Sequence, residues 1–278
     1  MTTAPSTFHF ISGLPRSGTT LLAALLRQNP RFHADIISPM EGLVRSNLSS
    51  MSVGSQSAGQ ISTVQRQNII KGLLTGYYTE ISQQHEVIFD NNRGWTTRLP
   101  LLHTLYPQAK VICCVRDTVW ILNSLERIFR QQPFENSRLF RNDTERETVF
   151  SRVAALTQPN RLVGFAWSAL KEAYYGEYSD KLLIVDYETL ARMPAKVMPV
   201  IYDFLDEEPF QHNFNTIEFD RPEFDQELGL SGLHKVRPRV EFQRQRNLLP
   251  PELVERYSNQ TFWDDPGGSA ARVVRIRK

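Results

Sequence analysis

"FHFISGLPRSGTTLLAALL", residues 8–26, runs from a short apolar stretch through a glycine-bearing turn into a helix-forming stretch. Gly13, Gly18 and Thr20 fit the phosphate-loop pattern G-x-x-x-x-G-K-[ST], but Thr19 stands where the lysine belongs. A strand that turns directly into a helix aims backbone N–H groups and the positive end of the helix dipole at one point, which suits an anion. The nearest cation is Arg16. Asp90, at the end of "VIFD", is the one weak candidate for an acid that would hold magnesium beside the loop. The loop therefore suits a phosphate-type anion without magnesium–nucleotide chemistry.

Working outward, "EVIFD" (86–90), "KVICCV" (110–115) and "KLLIVD" (181–186) repeat the short apolar run of residues 8–12. Continuous runs of this kind mark parallel strands buried on both faces. Between them the periodicity predicts helices over 19–28, 64–83 and 118–132, the second with Ile69, Ile70, Leu73, Leu74, Tyr77 and Ile81 on one stripe. Alternating strands and helices predict an α/β fold, a doubly wound P-loop-type parallel sheet flanked by helices, with ligands at the carboxyl ends of the strands. Residues 46–62, rich in Ser and Gly, read as a mobile lid or an exposed linker. The charged stretch after it, about 133–178, reads as a helical insertion that covers the sheet. The whole chain, 1–278, reads as one domain.

A formal net charge of +2 supplies no field that would favour nucleic acid or an anionic membrane. Cys113 and Cys114 are adjacent, so they offer neither a disulfide framework nor metal-ligand spacing, and they predict a reducing compartment. No signal-peptide pattern and no membrane-length apolar run is present, so the chain reads as cytoplasmic. The basic tail "RVVRIRK" reads as a solvated terminus, with a phosphate or partner contact as the alternative.

"GLPRSGTTLLAALLRQNP" resembles the 5′-phosphosulfate loop of sulfotransferases that use 3′-phosphoadenosine 5′-phosphosulfate (PAPS), most closely in the tyrosylprotein sulfotransferase branch and its bacterial relatives. "KVICCVRDTVWILNSLERIF" is similar to the motif that binds the 3′-phosphate, with Arg116 at a strand end and Ser124 in the following helix. An arginine and a serine so placed can converge on one phosphate. "DYETL", which contains Tyr187, is similar to the family's Y-E-x-L signature near the nucleotide, and "GLHKVRPRVEF" to a late basic segment that brings Lys235, Arg237 and Arg239 near phosphates.

The resemblance implies sulfuryl transfer from PAPS, as co-substrate, to an acceptor hydroxyl, with no metal. Pro15, Arg16, Ser17, Gly18, Thr19 and Thr20 would hold the 5′-phosphosulfate, and Arg116, Ser124 and Tyr187 the rest of the nucleotide. Arg16 and Arg93 would balance charge on the transferring group, with Arg98 competing for the second role. The resemblance puts a catalytic glutamate at position 37, where this chain has Ile37. Glu41 is the first candidate to replace it, followed by Asp35 and His33. The acceptor is a peptide tyrosine or a small phenol or alcohol, and a homo-oligomer fits as well as a monomer. A P-loop kinase or NTPase, and a non-catalytic module that binds PAPS or its bisphosphate product, are the alternative functions.

Overall fold

Side chains alternate across strand β1 (Thr7–Gly13): Phe8 and Phe10 enter one core and Ile11 the other. The same alternation divides β3 (Val87–Asn91), β4 (Val111–Val115) and β5 (Leu182–Asp186), so each strand is apolar on both faces. With the short strands β2 (Phe32–Ala34) and β6 (Arg272–Val273) they form a six-stranded, wholly parallel sheet in the order β2-β3-β1-β4-β5-β6. This is a computed structural model, and it describes residues 6–132, 134, 137–220, 222–227, 232–265 and 267–275.

Helices lie on both faces. On one, α2 (Met40–Ser50), α3 (Thr63–Tyr77), α4 (Leu99–Leu105) and α5 (Thr118–Gln131) bury Met40, Val44, Ile70, Leu74, Leu102 and Leu122. On the other, α1 (Thr19–Leu26) and α10 (Pro194–Leu205) bury Leu22, Leu25, Val197 and Ile201. The segment after α5 contributes α6 (Asp143–Arg146), α7 (Val149–Thr157) and α8 (Leu162–Tyr175). Val163, Ala166 and Leu170 of α8 join the same core as Phe10 and Val111. Helices α9 (Tyr187–Arg192), α11 (Pro222–Glu227) and α12 (Pro251–Tyr257) complete the set among the described residues. The strand order turns back between β1 and β4, the switch point at which open α/β sheets leave a crevice beyond their carboxyl ends.

Three expectations change. Residues 46–50 continue α2 rather than opening a loop, and Ser62 then starts α3 with a reciprocal cap to Gln65. The helix expected to reach 83 stops at Tyr77, and the hydroxyl of Tyr78, its C-cap, turns inward to donate to Asp90 at 2.7 Å. Ile69 and Tyr77 of the expected stripe are exposed, and only a narrow band around Ile70 and Leu74 packs inward. The tail is not wholly solvated: Arg272 and Val273 pair with β5, Arg272 holds Asp203 at 2.7 Å, and Val274 is buried. Residues 276–278 of that tail lie outside the described residues.

Candidate active site

Three strand–helix junctions meet at the carboxyl edge of the sheet. At the first, Gly13 has φ 120°, and a Cβ there would lie 2.1 Å from the Cys114 carbonyl oxygen, so only glycine lets β1 end this close to β4. The loop is then tied down by the Ser17 hydroxyl, which donates to the carbonyls of Leu14 and Cys114. Arg16 is in the left-handed region at φ 59°, and Gly18 follows at φ 94° to start α1. At the second junction Asp117 caps α5 through the Val119 N–H at 2.9 Å. At the third Asp186 caps α9 through Thr189, which seats Tyr187 on the edge.

These junctions bring the sequence motifs together. Arg16 Nε donates to Ser124 Oγ at 3.1 Å across 108 residues of chain. The Arg116 guanidinium stacks 4.5 Å from the Tyr187 ring centroid, and that ring packs against Gly18. Tyr187 is therefore a wall of the cleft and not part of the core. Pro15, Arg16, Gly18, Thr19, Thr20, Arg93, Arg116, Ser124 and Tyr187 all line one cleft of about 430 Å³. Ser17 lies behind it, its hydroxyl spent on the loop.

Residues 232–247, without helix or strand, run across the mouth. Lys235, Arg237 and Arg239 face the cleft from this segment, which pairs with residues 214–219 through Ile217, Val236 and Val240. Asn123 and Arg127 of α5 hold its far end at Arg246. Sequence reasoning named the three cations but missed His234, which lines the same cleft and pairs with Asp225. A lone histidine with no periodic neighbours gave no signal.

The electrostatics are one-sided. Arg16, Arg93, Arg116, Arg138, Lys235, Arg237 and Arg239 line the cleft, and Glu241 is the one carboxylate among the described lining residues. Burial, then the neighbouring Arg116 charge, pull Arg16 down to about 10, so it stays cationic at neutral pH. Burial also lowers Arg116 and Arg93. Arg93 opens the turn after β3, with its carbonyl accepting from Ser12 Oγ at 3.0 Å, and no described carboxylate pairs with its guanidinium. Several desolvated cations around one cleft, with a single carboxylate among its described lining residues, form a surface that can accommodate an anion.

The other expected acids and bases are placed elsewhere. Glu41 Oε1 accepts from Arg98 Nε at 3.2 Å, and its carboxylate packs on Gly94, away from the cleft lining, while Ile37 does line it. Arg98 is thereby spent on Glu41. The Asp35 carboxylate accepts from the Ile36 N–H at 2.7 Å, and the His33 ring packs near Tyr78 and His85. Asp90 is buried and accepts from Ser38, Tyr78 and Trp95, with burial raising its pKa. It belongs to a closed hydrogen-bond cluster and does not reach the loop as a magnesium ligand would.

A model of the sulfotransferase family matches residues 9–212. The nodulation protein NoeE of Sinorhizobium fredii is 29% identical over 132 residues, which cover 42% of this chain and 30% of that protein. A putative protein-tyrosine sulfotransferase of Caenorhabditis briggsae is 27% identical over 120 residues, covering 42% of this chain and 41% of its own. The chain thus spans less than half the length of these curated relatives. A sulfotransferase structure from Alicyclobacillus acidocaldarius superimposes with a TM-score of 0.50 at 17% identity, over 81% of this chain and 90% of that one, and shares the fold. With most of the chain matched, the protein belongs to the sulfotransferase family.

Proposed function

We propose that this protein transfers a sulfuryl group from PAPS to an acceptor hydroxyl and releases adenosine 3′,5′-bisphosphate. The observation that carries the reading is the contact of Arg16 with Ser124, which joins the loop after β1 and the helix after β4 in a single cation-rich cleft. A nucleotide with phosphate groups at both its 3′ and 5′ positions needs two such anion sites in one crevice.

In this reading the backbone amides of Ser17 to Thr20 hold the 5′-phosphosulfate, and Arg16 balances the charge that develops on the leaving phosphate oxygen. Arg116 and Ser124 take the 3′-phosphate, and Tyr187 shapes the nucleotide wall. Arg93, with no carboxylate partner among the described residues, is free to meet the transferring group. A planar fork there supports two equatorial oxygens, where a lysine would offer a point charge. The acceptor is a hydroxyl compound, a peptide tyrosine or a small phenol or alcohol. The likeness to a putative protein-tyrosine sulfotransferase supports the first, and the apolar side chains of Leu125, Leu139 and Leu162 in the cleft suit any of them.

Ile37 in the lining favours one competing reading, a module that binds the nucleotide without transferring from it. Calorimetric titration without magnesium, using adenosine 3′,5′-bisphosphate, adenosine 5′-monophosphate and ATP, tests the donor site. Strong preference for the bisphosphate is the expected result. If ATP binds best, or nothing binds, the sulfotransferase reading falls; if the bisphosphate binds and no acceptor is ever sulfated, the binding module stands.

A further inference from the structure

His234 is held on two sides. Its Nδ1 lies 2.6 Å from Oδ1 of Asp225, and its own backbone N–H donates to Oδ2 of the same carboxylate at 2.8 Å. Asp225 has no exposed surface, and the Phe224 ring packs edge-on against the imidazole, with centroids 5.3 Å apart. The preceding residue, Leu233, gives its carbonyl to Arg16, so the segment is docked directly onto the loop cation. The imidazole is thereby held in position and orientation.

A hydrogen bond from Nδ1–H to the Asp225 carboxylate leaves the lone pair on Nε2, the ring nitrogen that no described residue engages. The charged groups that act on the ring are Asp225, Arg16 and Arg93. Burial lowers the imidazole pKa most, Asp225 opposes that, and the two arginines add to it. The net direction keeps the ring neutral near pH 7, as a proton acceptor must be. Ile37 has no proton acceptor, and Glu41 is occupied by Arg98.

We propose that His234 is the general base of the transfer and that Asp225 is its positioning residue; this rests on the reading of the cleft as a PAPS site. Nε2 takes the proton of the acceptor hydroxyl while that oxygen bonds to sulfur. The bond between sulfur and the bridging oxygen breaks, and its electron pair leaves on the 5′-phosphate of adenosine 3′,5′-bisphosphate. The imidazolium, stabilised by Asp225, then returns the proton to water.

The test uses the full chain and measures bisphosphate affinity by calorimetry and PAPS consumption with 4-nitrophenol, a tyrosine-containing peptide and a primary alcohol as acceptor probes. His234→Gln is expected to lower kcat by about 100-fold or more while leaving bisphosphate affinity within about threefold. Exogenous imidazole is expected to restore part of the rate to His234→Ala. The acid limb of the wild-type rate is expected below pH 6.5, the ordinary imidazole value, and Asp225→Asn is expected to change that limb as well as kcat. A kcat for His234→Gln within threefold of wild type overturns the proposal. So does a loss of bisphosphate affinity that matches the loss of rate, which would make His234 a binding residue. If wild type binds the bisphosphate yet consumes PAPS with no probe, the base has no reaction to serve and this proposal falls, while the reading of the cleft as a PAPS site stands. If wild type does not bind the bisphosphate, the functional reading falls first.

Discussion

One wall of the cleft consists of three strand ends, Gly13–Thr19 after β1, Val115–Thr118 after β4 and Asp186–Tyr187 after β5; the facing wall is residues 232–247, with neither helix nor strand. On the first wall the lining residues from Leu14 to Thr20, Arg116 and Tyr187 sit within a few positions of a strand end or a helix cap, so their location follows from the sheet. On the second, each position depends on distant partners, such as the Leu233 carbonyl on Arg16 and Arg246 on Asn123 and Arg127. The family match ends at residue 212, before this wall begins. The sheet edge thus lies within the part of the chain that the family model matches, and the irregular segment lies beyond it.

The contrast can be broken most severely at Gly13. Gly13→Ala puts a methyl group 2.1 Å from a backbone oxygen at φ 120°. Backbone strain and overpacking together are expected to cost about 4 kcal/mol, read as a fall in the urea midpoint. A loss under about 1 kcal/mol would mean that β1 and β4 can separate, and that the sheet edge is less fixed than its geometry implies.

Arg16→Ala cuts the bridge between the walls, removing both the Ser124 contact and the Leu233 contact. Transfer is expected to fall by about 100-fold or more, about 3 kcal/mol of transition-state stabilisation, with the far-ultraviolet circular dichroism unchanged. Global loss of structure would assign Arg16 to the fold instead. Ser124→Ala sits on the sheet side alone. It is expected to weaken bisphosphate binding roughly tenfold, one hydrogen bond to a charged group, with kcat at saturating PAPS little changed. Unaltered affinity would separate Ser124 from the 3′-phosphate.

The same contrast explains what could be read in advance. The four long strands, the helices at 19, 64 and 118 and the loop from Pro15 to Thr20 all carry local signals: buried apolar runs, 3.6-residue periodicity, and caps at fixed offsets. Strands β2 and β6, of three and two residues, are too short to carry a pattern, and they pair because β3 and β5 offer free edges. Arg116 and Ser124 could be placed beside one another because spacing from a strand end sets their position, and Tyr187 was marked by its resemblance to the Y-E-x-L signature. His234 was not, because its role depends on a carboxylate nine residues earlier, on a short helix whose place is set by tertiary packing.

Glu41 tests where the base belongs. It opens α2 close to the sheet edge, and the resemblance implies an acid in that neighbourhood, yet its carboxylate faces Arg98 and the backbone of Gly94. Glu41→Gln keeps the acceptor oxygen for Arg98 and removes the charge. The expected cost is about 1–2 kcal/mol of stability, the difference a charged partner makes to one partly buried hydrogen bond, with the rate within about threefold of wild type. A general base in that position would instead lose 10²–10⁴-fold in kcat on the same substitution with its pocket intact. Measured beside His234→Gln, the two rates decide between the walls. A spared Glu41 variant with a crippled His234 variant puts proton transfer on the irregular segment, whereas the reverse returns it to the helix that follows β2 and leaves residues 232–247 the task of closing the nucleotide in.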